Sequence, residues 1–165
     1  MKPTERLPFT QWADINRTDR FIAVEPKSGY RRALPENEAR VIYLPPNASD
    51  EVLGRALLEA LDRSRFIWPA DEPEFFERER FTQCSRNWQK DFMERYGYKT
   101  KREAYNGMDW CRAKRSEGKI SIKPHKRDKP EYFRDLPADR TIVIPATDGA
   151  AAAGAALRLA LDRCE

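Results

Sequence analysis

The stretch Val41-Ile42-Tyr43-Leu44-Pro45, then Asn47-Ala48-Ser49-Asp50-Glu51, then Gly54, Ala56, Leu57, Ala60, Leu61, Asp62 and Arg63 decides the fold, because it recurs. Near the other end of the chain Ile142-Val143-Ile144-Pro145 leads to Thr147-Asp148 and then to Gly154, Ala156, Leu157, Ala160, Leu161, Asp162 and Arg163. Matching positions lie 100 residues apart throughout, as Pro45 and Pro145 or Gly54 and Gly154 do. Each copy reads as a strand, a proline stop and a helix. The strand is continuously apolar, which suits burial on both faces and a central place in a sheet, and its proline ends the hydrogen-bonding ladder. Leu53, Ala56, Leu57, Ala60 and Leu61 share one face of the first helix, and Ala153, Ala156, Leu157, Ala160 and Leu161 share one face of the second. Asn47 or Ser49 is placed to cap the first helix, and Thr147 or Asp148 the second. A mid-helix glycine costs about 1 kcal/mol relative to alanine. Its presence at the same place in both copies predicts a close approach of helix to sheet.

Outward from these units, residues 1 to 19 are polar with scattered apolar anchors and read as a surface segment. Phe21-Ile22-Ala23-Val24 is a strand ended by Pro26, with residues 21 to 25 placed to pair antiparallel with 40 to 44, and Lys27-Ser28-Gly29-Tyr30 reads as a turn or exposed loop. Trp68 to Pro73 reads as a loop, and Glu74 to Phe81 as a lid or short helix. Cys84, Trp88, Phe92 and Tyr96 repeat every four residues, predicting a helix closed by Gly97 in the left-handed conformation. Thr100 and Glu103 form a capping box that opens a short helix ending near Gly107. Trp110 to Lys114 and Lys119 to Lys123 alternate around Ser116-Glu117-Gly118, predicting a hairpin with a three-residue turn. Ile120 and Ile122 then face inward beside Cys111 and Ala113, with Arg112, Lys114, Lys119 and Lys123 outward. Pro124 closes the ribbon, and 125 to 139 reads as a polar connection.

The chain of 165 residues suits one domain, residues 1 to 165, with a single core. Its net charge of +4 permits an anionic partner without requiring one. The charge is uneven: residues 86 to 129 carry 14 basic and 6 acidic side chains, against 13 and 15 in residues 1 to 85. Three cysteines, Cys84, Cys111 and Cys164, lack C-x-x-C spacing and fit a reducing compartment. The first eight residues lack the apolar run of a signal peptide, and no segment approaches the ~20 apolar residues that span a bilayer. The expectation is a soluble, cytoplasmic protein.

Enzyme chemistry has little support. His125, the one histidine, sits among like charges in Lys123-Pro124-His125-Lys126-Arg127 and reads as a solvated loop residue. No cluster has metal-ligand spacing, and phosphate-binding, dinucleotide-binding and serine-hydrolase motifs are missing, so no catalytic residue, metal or cofactor is expected. The segment Tyr96-Gly97-Tyr98-Lys99-Thr100-Lys101-Arg102-Glu103-Ala104-Tyr105 interleaves basic and aromatic side chains. That pattern serves a nucleic acid, by phosphate neutralisation and stacking, or a protein partner, through Tyr and Arg anchors.

This segment and the two flanking units carry a family resemblance. Leu44-Pro45, Ser49-Asp50-Glu51, Leu53-Gly54, Ala56 to Leu61, Ser64-Arg65, Arg95 to Arg102, Met108 and Cys111, with Val143 to Ala146 and Gly154 to Leu161, resemble the immunity proteins of bacterial contact-dependent growth inhibition systems, the CdiI family. The match covers about residues 40 to 164, and Tyr96-Gly97-Tyr98-Lys99-Thr100-Lys101-Arg102 is its most specific part. The resemblance implies a non-catalytic cytosolic inhibitor that binds the C-terminal toxin domain of a CdiA-type effector, often a nuclease, and protects the producing cell. After Arg102 the sequence Glu103 to Gly107 is more polar than the family pattern. Partner contacts are expected at Tyr98, Lys101, Arg102, Tyr105, Arg112 and Lys114. The expected fold is a single α/β domain with a mixed central sheet, two related strand-Pro-helix units, a central helical segment and a basic hairpin. The alternative is a nucleic-acid-binding module using the basic aromatic segment 96 to 123.

Overall fold

A computed structural model describes residues 6–38, 40–129 and 131–165. Among these residues eight strands form one sheet: β1 (Thr10–Arg17), β2 (Ile22–Gly29), β3 (Ala33–Pro35), β4 (Ile42–Leu44), β5 (Asp109–Ser116), β6 (Lys119–Lys129), β7 (Tyr132–Asp135) and β8 (Ile142–Pro145). The path through the sheet is β3-β2-β1-β5-β6-β7, with β4 on β2 and β8 on β6. Helices α1 (Asp50–Arg63) and α4 (Ala150–Asp162) cover one face. On the other lie α2 (Arg78–Tyr96), entered through a 3₁₀ turn at Pro73–Phe76, and α3 (Lys101–Tyr105).

The α/β class stands, but the sheet is antiparallel and not mixed. Among the described residues every strand pairing runs antiparallel, and the parallel contact is an isolated bridge between Gly29 and Phe66. Short connections such as 18–21 and 117–118 can join only antiparallel neighbours. The residue 10–17 segment, expected at the surface, is the central strand β1. Its core face carries only Ala13 and Ile15, while Asp14 is buried on the other, which masks the apolar signal.

The repeat is larger than the strand-helix unit. β1 and β2 match β5 and β6 when shifted by 98, taking Trp12 to Trp110, Asp14 to Arg112, Ile22 to Ile120 and Pro26 to Pro124. β3, β4 and α1 match β7, β8 and α4 at the shift of 100 already noted, and the two-residue change falls between β6 and β7. The pairs follow: Ile22 opposite Leu44 becomes Ile120 opposite Ile144, and Lys27 opposite Pro35 becomes His125 opposite Asp135. An approximate two-fold axis passes through the cross-strand pair Asp14 and Arg112.

This symmetry explains three departures from expectation. β4 and β8 are edge strands, each with one partner, because each caps half of a longer strand. β2 and β6 run through Pro26 and Pro124 instead of stopping. β4 pairs residues 22–24 and β3 pairs 27–29, whereas β8 pairs 119–122 and β7 begins at 125, so each proline sits where the outer partner changes and no ladder donor is wanted. Residues 27–29 therefore belong to β2, and 125–129 to β6. The glycines serve a helix-helix contact and not a helix-sheet one: a Cβ on Gly54 would lie 1.6 Å from the Ala150 carbonyl oxygen, and one on Gly154 1.7 Å from that of Asp50.

Local signals fared better. Ser49 caps α1 by accepting from Val52 N, whereas α4 begins at Gly149 without a side-chain cap. Gly97 closes α2 at φ 72°, and Thr100 caps α3. The β5–β6 hairpin has the expected facing residues, but its loop is two residues, Glu117 and Gly118, at φ 52° and 78°. Positive φ at both gives the strand-matching twist that a three-residue loop is not needed for.

Candidate functional site

The face of the sheet away from α1 and α4 carries charge across five adjacent strands. β2 contributes Glu25 and Lys27, β1 Asp14, β5 Arg112, β6 Lys123 and His125, and β7 Asp135. Alternation dictates this: Ala13, Ile15, Ile22, Val24, Ile120 and Ile122 point to α1 and α4, so their neighbours point the other way. Arg112 grips Asp14 in a two-pronged contact, Nε to Oδ1 at 2.7 Å and Nη2 to Oδ2 at 2.9 Å. Lys27 Nζ lies 3.4 Å from Glu25 and 3.9 Å from Asp14. Burial opposes the Asp14 charge, but Arg112 and Lys27 outweigh it and hold its pKa below the usual value. For Glu25 burial wins over Lys27, and its pKa is raised.

His125 is a buried strand residue, not a solvated loop residue. Its ring stacks on Trp110 with centroids 3.8 Å apart, Nδ1 lies 3.2 Å from the Trp110 carbonyl oxygen, and Nε2 is 3.6 Å from Asp135. Burial lowers its pKa, against the opposing pull of that carbonyl and of Asp135. The Lys-Pro-His-Lys-Arg pattern misled because Pro124 is a partner-switch point inside β6.

Helices α2 and α3 roof part of this face and leave a cleft of ≈ 540 Å³. Glu25 and Lys27 form its floor, Trp88 and Gln89 one wall, Lys101 and Tyr105 another, and Glu131 and Tyr132 the rim. Tyr132 is 67% exposed, an aromatic ring presented at the mouth.

The six expected contact residues separate. Lys101 and Tyr105 meet at the cleft, and Arg112 lies in the same polar layer. Lys101 is exposed and 3.4 Å from Glu131, whereas Tyr105 is buried against Phe92, its hydroxyl donating to Gln89 and its pKa pushed up to about 12 by burial. Tyr98 is buried in the aromatic cluster with Phe21 and Phe92, donates to Thr18 Oγ1 at 2.8 Å and carries Arg20 over its ring. Arg102 is exposed on α3 beside Arg127 and Lys129, and Lys114 is exposed on β5. Sequence reasoning missed Asp14, Glu25, Lys27, Asp135 and Tyr132. The identity of Trp12 with Trp110 and of Pro26 with Pro124 was the available signal for the polar layer between them.

The chain matches the family model described as CDI immunity protein over residues 11–164. It belongs to the CDI immunity protein family. Within that family it is 29% identical to the immunity protein CdiI-YPIII of Yersinia pseudotuberculosis serotype O:3, over 93% of this chain and 95% of that one. Among solved structures it is similar to the Yersinia pseudotuberculosis CdiA-CT/CdiI toxin and immunity complex, with a TM-score of 0.91 and 29% identity over 95% of this chain and 98% of that one. It is also similar to a Neisseria meningitidis protein of unknown function, at TM-score 0.89 and 28% identity over 98% and 99%. Among the described residues no helix is long and apolar enough to cross a membrane.

Proposed function

We propose that this CDI immunity protein neutralises the C-terminal toxin domain of a CdiA-type effector by stoichiometric binding in the cytoplasm, without catalysing a reaction. The observation that carries the reading is the family match over residues 11–164, joined to a fold shared with the chain of a toxin and immunity complex. The toxin is taken to be a nuclease, whose substrate an inhibitor of this size can exclude by covering the active site. Contact falls on the mouth of the charged cleft, where Lys101 and Tyr132 stand exposed, and extends to Arg102 on α3. Exposed Tyr and Lys or Arg at a rim supply an anchor and electrostatic steering, while the Asp14–Arg112 and Glu25–Lys27 pairs hold the floor rigid.

The test is growth rescue. The chain is co-expressed with the toxin domain encoded immediately upstream, and an unrelated immunity protein serves as control. Rescue by this chain alone, with a one-to-one complex in titration calorimetry, supports the reading. Growth arrest with soluble protein present defeats it.

A further inference from the structure

The internal symmetry places Cys164 opposite Ser64, and the two residues do the same job with different chemistry. Ser64 follows α1 and clasps the helix end to the sheet: its hydroxyl accepts from Trp12 N at 2.9 Å and donates to the Lys27 carbonyl. Cys164 follows α4 and meets the equivalent backbone, with its thiol 3.4 Å from the Trp110 carbonyl oxygen and the adjacent Glu165 N bonded to the His125 carbonyl at 3.2 Å. In the first unit the sheet residue beneath the clasp is Ala13. In the second it is Cys111, whose sulfur lies 3.6 Å from that of Cys164. The hydroxyl clasp of one half has thus become a pair of thiols in the other.

We propose that Cys111 and Cys164 form a redox-modification site, which a low-molecular-weight disulfide converts into an intramolecular cross-link fastening the end of α4 to β5. The two sulfurs must close from 3.6 Å to the bonded separation of about 2.05 Å. Cys164 is half-buried and follows the last helical turn, so it can both meet a small oxidant and move, whereas Cys111 is wholly buried in the core. That difference fixes the order of events. The Cys164 thiolate attacks one sulfur of the oxidant, expels a thiolate and forms a mixed disulfide. Cys111 then loses its proton and displaces the second thiolate, so that two protein thiols are oxidised and one small disulfide is reduced to two thiols. The hydrogen bond from Cys111 and that from the backbone support the attacking role, since the Cys164 pKa is lowered while burial raises that of Cys111.

The experiment exposes the full chain to oxidised glutathione, quenches with acid, alkylates under denaturing conditions and maps the peptides. The expected result is loss of two of the three alkylatable thiols, a cross-link joining the Cys111 and Cys164 peptides, and a Tm raised by several degrees, in line with closure of a loop of this length. The Cys84→Ser variant behaves as the unmodified chain. In Cys164→Ser, Cys111 stays alkylatable and the Tm does not respond. Three free thiols after treatment, a bridge that includes Cys84, or protection of Cys111 in the Cys164→Ser variant would overturn the assignment.

Discussion

Asp14 and Arg112 occupy the one place in the sheet where the two halves of the chain face each other across the axis. Symmetry would set like against like there, and two equal charges in so buried a site could not both be tolerated. Instead one half supplies the carboxylate and the other the guanidinium. Arg112→Ala strips the buried Asp14 of its two-pronged partner and leaves it only Lys27, 3.9 Å away, so urea unfolding should show a loss of about 3 kcal/mol. Replacing both members by Met and Leu should recover most of it, because the pair's attraction is offset by its desolvation. His125 makes a second prediction. Its folded pKa lies below 6.5, so the folded state binds the proton less readily than the unfolded chain, and the stability it contributes at neutral pH is lost as pH falls from 6.5. The groups facing it are Trp110, Asp135, Arg112 and Asp14. Glu25, with its raised pKa, acts in the opposite sense. Thermal melts between pH 7 and pH 5 should therefore fall less in His125→Gln than in the unmodified chain, even if the variant starts lower.

At the scale of elements, the decisive contact is the crossing of α1 and α4 at Gly54 and Gly154. Either glycine replaced by alanine gains about 1 kcal/mol of helix propensity in an open helix. Here the new methyl meets the opposite backbone at 1.6 to 1.7 Å, so the helices must part and the leucine and alanine faces beneath them lose contact. Gly54→Ala should cost about 1–3 kcal/mol net in urea denaturation, and an unchanged or raised midpoint would refute the account. The repeat that exposes this crossing was legible at residues 41–63 and 142–163, where apolar runs and helical periodicity are undiluted. It was not legible at 10–29 against 109–127, because one face of those strands is polar and the number shift changes from 100 to 98. Edge against centre was misread for a related reason: Val41 and Tyr43 pack towards α2 while Ile42 and Leu44 pack towards α1, so β4 is apolar on both faces although it has one neighbour. The basic hairpin was readable from alternation alone. The cleft was not, since its floor and its roof come from segments that only tertiary structure brings together.

At the scale of the whole molecule, the fold sorts the basic aromatic segment into two classes that sequence could not separate. Tyr98 and Tyr105 give their rings to the core between α2 and the sheet, so they offer no stacking platform for bases, and the nucleic-acid reading loses the half of its chemistry that depended on them. Lys101 and Arg102 remain on the surface. The two classes respond differently to substitution. Tyr105→Ala removes a buried ring and should lower the unfolding free energy by about 3–5 kcal/mol, with any loss of toxin affinity following from that. Lys101→Glu combined with Arg102→Glu should leave the melting curve nearly unchanged, because both side chains are solvated, yet slow association with the toxin domain by about tenfold at low salt. The difference from the unmodified chain should shrink as ionic strength rises, since salt screens exposed charges beyond about 8–10 Å. Stopped-flow association measured at two salt concentrations decides the matter. If the double variant binds at the unmodified rate in low salt, the two α3 charges lie outside the steering surface, and the contact must be sought at the exposed ring of Tyr132 at the cleft mouth.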